Sequence, residues 1–290
     1  QLGEDDARHF VENWRVLADV AREADAELAA WIEAEARFPS TMVDRIVPAT
    51  KPDDIARVEA LTGFHDASPV MHEPFRQWAI EDDFVGGARP DWGSAGAEMV
   101  SDVTAHEHMK LRMLNGTHSS LAYLGYLAGH ETIADCVSDP AFARYVRHLW
   151  SQEIIPAVEA PEGVSLQEYA RALFKRYSNP AIRHLTWQIA MDGSQKLPQR
   201  ILGTISENYA TGRPSSGLVL AIAAWMRYVG GMDEGGNPID VKDPLADRLR
   251  SLSDSQSTAK GKVSALLEVR EVFPADLGAS LSNPVGEAYQ

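Results

Sequence analysis

Lys110, Asn115 and His118 are the residues of this 290-residue chain whose types and spacing best suit chemistry. They lie in Glu107-His-Met-Lys-Leu-Arg-Met-Leu-Asn-Gly-Thr-His118, a stretch that reads as helix. An α-helix turns by about 100° per residue, so with Lys110 at zero Glu107 lies near ~60°, His118 near ~80° and Asn115 near ~140°. All four can then face one cavity. Hydride transfer to a ketone leaves an alkoxide that needs a proton. A lysine supplies it, and removes it in reverse, if its pKa falls from about 10.4 toward neutrality. Burial and nearby positive charge push it that way. An amide N–H beside it would stabilise the developing oxyanion, and an imidazole would orient the amide or a substrate hydroxyl.

Each residue also has a plainer reading. A helical lysine usually snorkels to solvent. An asparagine inside a helix often bonds its own backbone. A lone histidine on an apolar helix is more often a satisfied core residue. Glu107 is balanced between a proton path to Lys110 and a solvated helix residue. His106 and His108 do not suggest a metal site, because residues two apart on a helix point roughly 200° from each other. There is no His-Glu-x-x-His and no cysteine cluster. Ser119 and Ser120 beside His118 lack a nucleophile elbow.

The elements that must position these groups read as mostly helical. A first helical segment spans 7–36, rich in Ala and Glu. Residues 38–50, bracketed by Pro39 and Pro48, suit a short strand or extended turn. A short helix follows over 53–61. Residues 71–84 suit a strand pair or irregular sheet, and 86–90 a loop. The helix bearing Lys110 is expected over 104–127, almost wholly apolar after His118 and so buried on most faces. Further helices are expected over 132–137, 139–155, 165–177, 179–192, 198–210, 214–228 and 244–252, with a hairpin-like excursion over 230–243. Residues 253–260 are polar and read as a mobile loop. The last clear helix is 263–272. The domain division expected is an N-terminal helical segment over 1–36 and one helical domain over 37–290.

Composition narrows the function classes. A hydrophobic content of 44% is ordinary for a globular protein. No run of 18 apolar residues reads as a membrane span, and no signal peptide is visible. The single cysteine, Cys136, excludes an internal disulfide and fits a cytoplasmic protein. A formal charge of -15 disfavours nucleic acid and anionic membranes as partners. It does not exclude an anionic substrate, because local Lys and Arg can converge on one.

The segment from Lys110 through Asn115, Gly116 and His118 to Tyr126 resembles the catalytic signature of the polyol-specific long-chain dehydrogenases. These are the mannitol 2-dehydrogenases, fructuronate reductases and arabinitol dehydrogenases. Further blocks agree in order: Phe38-Pro-Ser-Thr-Met-Val-Asp-Arg-Ile-Val-Pro48, Glu73-Pro-Phe-Arg-Gln-Trp78, Ser178-Asn-Pro-Ala-Ile-Arg183, Gln188 to Arg200, Ala224-Trp-Met-Arg-Tyr228 and Asp233 to Asp240. The wording around Trp187-Gln188 and Lys196-Leu-Pro-Gln-Arg200 is more similar to fructuronate reductases than to mannitol dehydrogenases.

The resemblance implies a multi-helical C-terminal catalytic domain and NAD or NADP as cofactor, without a metal. It implies interconversion of a keto sugar acid or ketose and its alcohol. D-fructuronate to D-mannonate is the first expectation and D-mannitol to D-fructose the second. The catalytic residues implied are Lys110 as acid–base group, Asn115 as oxyanion donor and His118 as positioning group. Substrate contacts fall on Asp44, Glu107, Arg183 and Lys196, and a cofactor contact on Arg45. Asp44 has a plainer reading as half of a buried Asp–Arg pair fixing a turn. Arg183, Lys196 and Arg200 are the basic groups that could meet a uronate carboxylate.

No Gly-x-Gly-x-x-Gly between strand and helix is present. The Rossmann-like N-terminal domain is therefore expected to be absent, with a nucleotide-binding domain supplied elsewhere. The competing class is a truncated chain without cofactor binding and without activity. Cofactor binding separates the two.

Overall fold

The computed structural model describes residues 4–290, with side chains from Trp14 onward. The chain divides into two compact units, Gln1–Val43 with Gln77–Val103, and Asp44–Arg76 with Thr104–Gln290.

The first unit pairs two helices and carries most of a small sheet. Helix α1 (Glu4–Ala24) and helix α2 (Ala26–Glu35) close on Ala18, Ala21, Ala29 and Ile32, flanked by Trp14 and Ala36. One helix was expected here, and the break comes from Asp25. Its backbone is extended and its carboxylate accepts the N–H groups of Glu27 and Leu28 at 3.0 Å, so it starts a new helix. Strands β1 (Thr41–Asp44), β2 (Gln77–Glu81) and β3 (Glu98–Val100) form a sheet in that order. β2 and β3 run parallel, with Ala79 opposite Glu98 and Glu81 opposite Val100. The strand pair or irregular sheet expected over 71–84 is one strand, whose parallel partner lies a crossover away. Trp92 in that crossover packs against Trp78 and Phe84.

The second unit is a helical body around one large core. After α3 (Pro52–Thr62), α4 (Thr104–Met109) runs into a π-helical segment over Lys110–Gly116 and then α5 (Thr117–Leu127). Next come α6 (Ile133–Ser138), α7 (Pro140–His148), a second π segment (Leu149–Ile154) and α8 (Leu166–Tyr177). Then follow α9 (Thr186–Ala190), α10 (Gly193–Leu197), a third π segment (Pro198–Leu202) and α11 (Gly203–Ala210). The last are α12 (Ser216–Val229), α13 (Ala246–Asp254), α14 (Ala259–Leu267) and α15 (Ala275–Ala288).

α5 and α12 form the centre, where Tyr123, Trp225, Met226 and Tyr228 are almost wholly buried. The N-terminus of α12 leaves backbone donors that need partners. The buried Glu153 accepts Gly217 N–H at 2.8 Å and Leu218 N–H at 2.9 Å, so a carboxylate sits at the positive end of the helix. Where a close approach is required, glycine provides it: a Cβ on Gly125 would lie 2.3 Å from Cys136 Sγ, and α6 packs there against α5.

Three expectations change. Residues 179–192 do not form one helix: α9 begins only at Thr186, because 179–185 is held as a non-helical loop. The region 253–260 is half helical: α13 runs to Asp254 and α14 starts at Ala259, capped by Thr258, with only 255–258 between them. A helix beyond 272 exists despite Gly278, Pro284 and Gly286. Leu277, Leu281 and Val285 recur at four-residue spacing and are buried, and that packing outweighs poor propensity. No described helix is long and apolar enough to cross a membrane.

Candidate active site

The π winding of Lys110–Gly116 changes how the chemical residues align. On an α-helical wheel Lys110 and Asn115 lie about 140° apart. A π turn closes i→i+5 bonds, so residues five apart stack one above the other. The five-residue interval is then the interval that places lysine and amide on one face. His118 follows three residues later in regular α5, and three residues is again a same-face interval.

A π segment is rare and must be stabilised by its surroundings. Here side chains take its carbonyls. Trp150 Nε1 donates to Met113 O at 3.1 Å and to Thr117 Oγ1 at 2.9 Å. Tyr177 Oη donates to Leu114 O at 2.8 Å. On the other side Gly116 meets the third π segment: a Cβ at Gly116 would lie 2.5 Å from Arg200 O. Glycine is what lets the two backbones touch. Arg112 leaves the site and anchors the segment outward, with its two terminal nitrogens on Glu207 at 2.6 Å.

Lys110 is 5% exposed. Burial pulls its pKa from 10.5 down to about 8; Asp44 and Glu107 act to raise it, while Arg200 and Arg176 lower it further. Such an amine exchanges protons near neutral pH. Asn115 is also buried. His118 is buried with its ring 4.5 Å from Tyr177 and 5.0 Å from His184. Burial, then His184 and Arg200, keep it well below its usual pKa, so it is a neutral imidazole. Its Nε2 is buried and has no hydrogen-bond partner among the described residues. Glu107 is half-buried at the start of the same stretch.

Asp44 sits in an ion cluster that the sequence did not show. It is 1% exposed and pairs with Arg176, not with its neighbour Arg45. Arg176 spans Asp44 and the buried Glu73, with closest contacts of 2.6 and 2.7 Å, and stacks over Phe75. Tyr169 Oη donates to Asp44 Oδ2 at 2.7 Å. Glu73 Oε1 accepts Ile46 N–H at 2.6 Å, which ties the cluster to the 44–46 backbone. Arg45 is half-buried and its Nε donates to Phe75 O at 3.0 Å.

Lys196 is half-buried and its Nζ donates to Met191 O at 2.6 Å. Burial and the nearby Arg200 lower its pKa, while Asp192 counters them. Arg200 Nη1 donates to Ser119 Oγ at 3.2 Å. Arg183 is not brought to this group. It is exposed and pairs with Glu131 at 2.7 Å. The sequence reading also missed His184, because it fell inside a stretch read as helix. Arg176 had a signal: it shares the buried stripe of α8 with Leu166, Tyr169 and Leu173. Among the described residues no three His, Cys, Asp or Glu side chains group as a metal ion would need.

Comparisons with known proteins identify the family to which the chain belongs. The mannitol dehydrogenase C-terminal domain family matches residues 102–290, and the mannitol dehydrogenase Rossmann domain family matches residues 9–94. The D-mannonate oxidoreductase of Escherichia coli (strain K12) is 49% identical over 273 residues, covering 93% of this chain and 56% of the relative. A mannitol 2-dehydrogenase of Pyrenophora tritici-repentis (strain Pt-1C-BFP) is 39% identical over 266 residues, covering 90% and 46%. Among solved structures, a Pseudomonas fluorescens mannitol 2-dehydrogenase in ternary complex with NAD and D-mannitol superposes with a TM-score of 0.83. It is 35% identical, covering 95% of this chain and 56% of that one. The chain thus spans about half the length of the curated relatives it matches.

The Rossmann match overturns the expectation that this domain is absent, and with it the need for a nucleotide-binding domain supplied elsewhere. The expectation rested on a missing glycine-rich turn between strand and helix. The matched stretch holds strands of only four and five residues, too short to show a period in sequence, and the parallel partner of β2 is the three-residue β3, which begins at Glu98 just beyond the match. With family models covering both its N-terminal and C-terminal parts, the chain belongs to the mannitol dehydrogenase family.

Proposed function

We propose that the protein is a nicotinamide-dependent oxidoreductase that interconverts a keto sugar acid and its secondary alcohol, with D-fructuronate and D-mannonate as the pair. The observation that carries this reading is Lys110, a buried amine with a pKa near 8 on one face with Asn115. Lys110 gives a proton to the substrate oxygen in reduction and takes it in oxidation. The Asn115 amide donates to that oxygen as charge develops. His118, neutral and buried, positions a substrate hydroxyl. Asp44 with Arg176 sets the charge around Lys110, and Glu107 lies one turn away as its path to solvent. Lys196, one turn before Arg200, meets the substrate carboxylate. Arg183 is left to its surface pair.

These side chains manage protons and hydrogen bonds but hold no two-electron acceptor. The single cysteine is buried and its thiol is pushed up to about 12 by burial. The donor set therefore fits a bound nicotinamide, which supplies or accepts the hydride. Arg45, half-buried with its Nε held by Phe75, is the residue of this region we assign to holding it.

The higher identity to D-mannonate oxidoreductase, 49% against 39% for a mannitol 2-dehydrogenase, supports the sugar-acid substrate. Reduction of D-fructose to D-mannitol is the second reading. The test is to mix the protein with NADH or NADPH and D-fructuronate, with D-fructose in parallel, and follow nicotinamide absorbance. We expect oxidation that is faster with fructuronate and lost in Lys110→Ala. Faster turnover of fructose would favour the second reading, and no turnover with either would overturn both.

A further inference from the structure

A cavity of ≈ 10 Å³ is lined by His118 and His184 with Ile46, Ile133, Ile182, Arg176 and Tyr177. That is room for about one water. Two of its lining rings carry buried nitrogens with no hydrogen-bond partner among the described residues, His118 Nε2 and His184 Nδ1. Leaving a polar atom buried and unsatisfied costs about 1–3 kcal/mol, so two in one cavity call for a shared partner. The rings are edge to face, with centroids 5.0 Å apart and planes at 81°. Arg176 is already engaged by Asp44 and Glu73, and Tyr177 by Leu114 O, which leaves the imidazoles as the free polar walls.

His184 is placed there by backbone bonds. His184 O accepts Ile133 N–H at 3.1 Å, and Thr132 and Leu185 form an antiparallel bridge beside it. The loop 179–185 is thus pinned to the start of α6, and its histidine ring is brought within 5.0 Å of the His118 ring.

We propose that one bound water bridges His118 Nε2 and His184 Nδ1, and that His184 is thereby a positioning residue for His118. A water that donates to one nitrogen and accepts from the other couples the two tautomers: whichever His184 nitrogen carries its proton decides which His118 nitrogen carries one, and so whether the other edge of His118 donates to or accepts from substrate. This inference rests on the substrate-positioning role of His118 proposed above.

The test uses the whole protein labelled with ¹⁵N-histidine, with His118 assigned from the spectrum of His118→Gln. In the wild type His118 shows a single tautomer by its ring ¹⁵N shifts. In His184→Phe these shifts move toward the average of two tautomers, and in His184→Asn, whose amide reaches the Nδ1 position, the single tautomer returns. Kinetically, KM for the sugar rises about tenfold in His184→Phe, the size of one lost hydrogen bond. kcat and its pH profile stay unchanged, and His184→Asn recovers most of the loss. Unchanged His118 shifts in a folded His184→Phe protein would overturn the proposal. If Phe prevents folding, an averaged tautomer in His184→Asn does so equally. The spectrum needs no turnover, so a protein inactive on every sugar would sink the functional reading and leave the pairing tested on its own.

Discussion

Arg176 grips Asp44 with two nitrogens at once, Nη2 to Oδ1 at 2.6 Å and Nη1 to Oδ2 at 2.9 Å, while its Nε donates to Glu73. One arginine therefore serves as the shared ion-pair partner of two buried carboxylates. Burial disfavours the Arg176 charge, but the bonds to Asp44 and Glu73 outweigh it and raise its pKa. Replacing Arg176 by Leu leaves both acids buried without a counter-charge, a loss of about 3–5 kcal/mol. Arg176→Lys restores the charge but not the fork, and recovers only part. By contrast Arg183→Ala removes an exposed pair and changes stability by less than about 0.5 kcal/mol. Denaturant midpoints of the three variants check this; an Arg176→Leu protein as stable as Arg183→Ala would show that the cluster holds nothing together.

Much of this site was legible in the chain and some was not, for reasons that differ by residue. Lys110, Asn115 and His118 stood out by type and interval, yet an α-helical wheel left Lys110 and Asn115 about 140° apart. Only the π turn explains why five residues is the working interval, and it depends on Trp150 and Tyr177, which lie far along the chain. The plainer reading of Asp44, half of a buried Asp–Arg pair, did not point to Arg176, which lies 132 residues away. Adjacency in sequence says little about side-chain pairing at the end of a strand, where neighbours point to opposite faces. The parallel strands were invisible because three to five residues cannot establish a period, and α15 because tertiary burial overrode its proline and glycines.

Lys110 links stability to chemistry. Its pKa is about 8 in the folded protein against 10.5 ordinarily, so burying the ammonium costs about 3 kcal/mol. The cost is fully present below pH 8. Between pH 8 and 10.5 the unfolded chain binds more protons than the folded one, so stability rises with pH. Lys110→Met keeps the bulk and removes the charge. The variant should be more stable than wild type at pH 7 by a few kcal/mol, with the difference shrinking above pH 8, while turnover falls by about 10²–10⁴-fold. Thermal melts from pH 6 to 10 check it; a variant less stable than wild type at pH 7 would show that the lysine is well solvated or well paired.

As the proposed acid–base group, Lys110 should set opposite pH profiles for the two directions. Alcohol oxidation needs the neutral amine as base, so its kcat/KM should rise through an apparent pKa of about 8 and then level. Carbonyl reduction needs the ammonium as acid and should fall through the same value. Arg200 and Arg176 help to hold that pKa down, and Asp44 opposes them. Asp44→Asn should therefore move both limbs toward lower pH. Rate profiles in both directions give the answer, and limbs that stay put in Asp44→Asn would separate the ion cluster from the lysine.

Gly116 gives the sharpest test of the architecture that carries these residues. A Cβ there meets Arg200 O at 2.5 Å and Leu111 O at 3.5 Å, and both are backbone atoms that cannot swing aside. Gly116→Ala must push the Lys110–Gly116 turn away from Pro198–Leu202, at about 1–3 kcal/mol for overpacking. Because the displaced segment holds Lys110 and Asn115, kcat should fall by more than any loss of folded protein explains. Gly203, at the start of α11, is the control: its Cβ would have Pro198 O at an ordinary 3.8 Å. There alanine gains helix propensity, so Gly203→Ala should be neutral or slightly stabilising, by up to about 1 kcal/mol, with full activity. Denaturation and initial rates on the two variants decide the matter, since equal behaviour would mean that the two π segments do not need to touch.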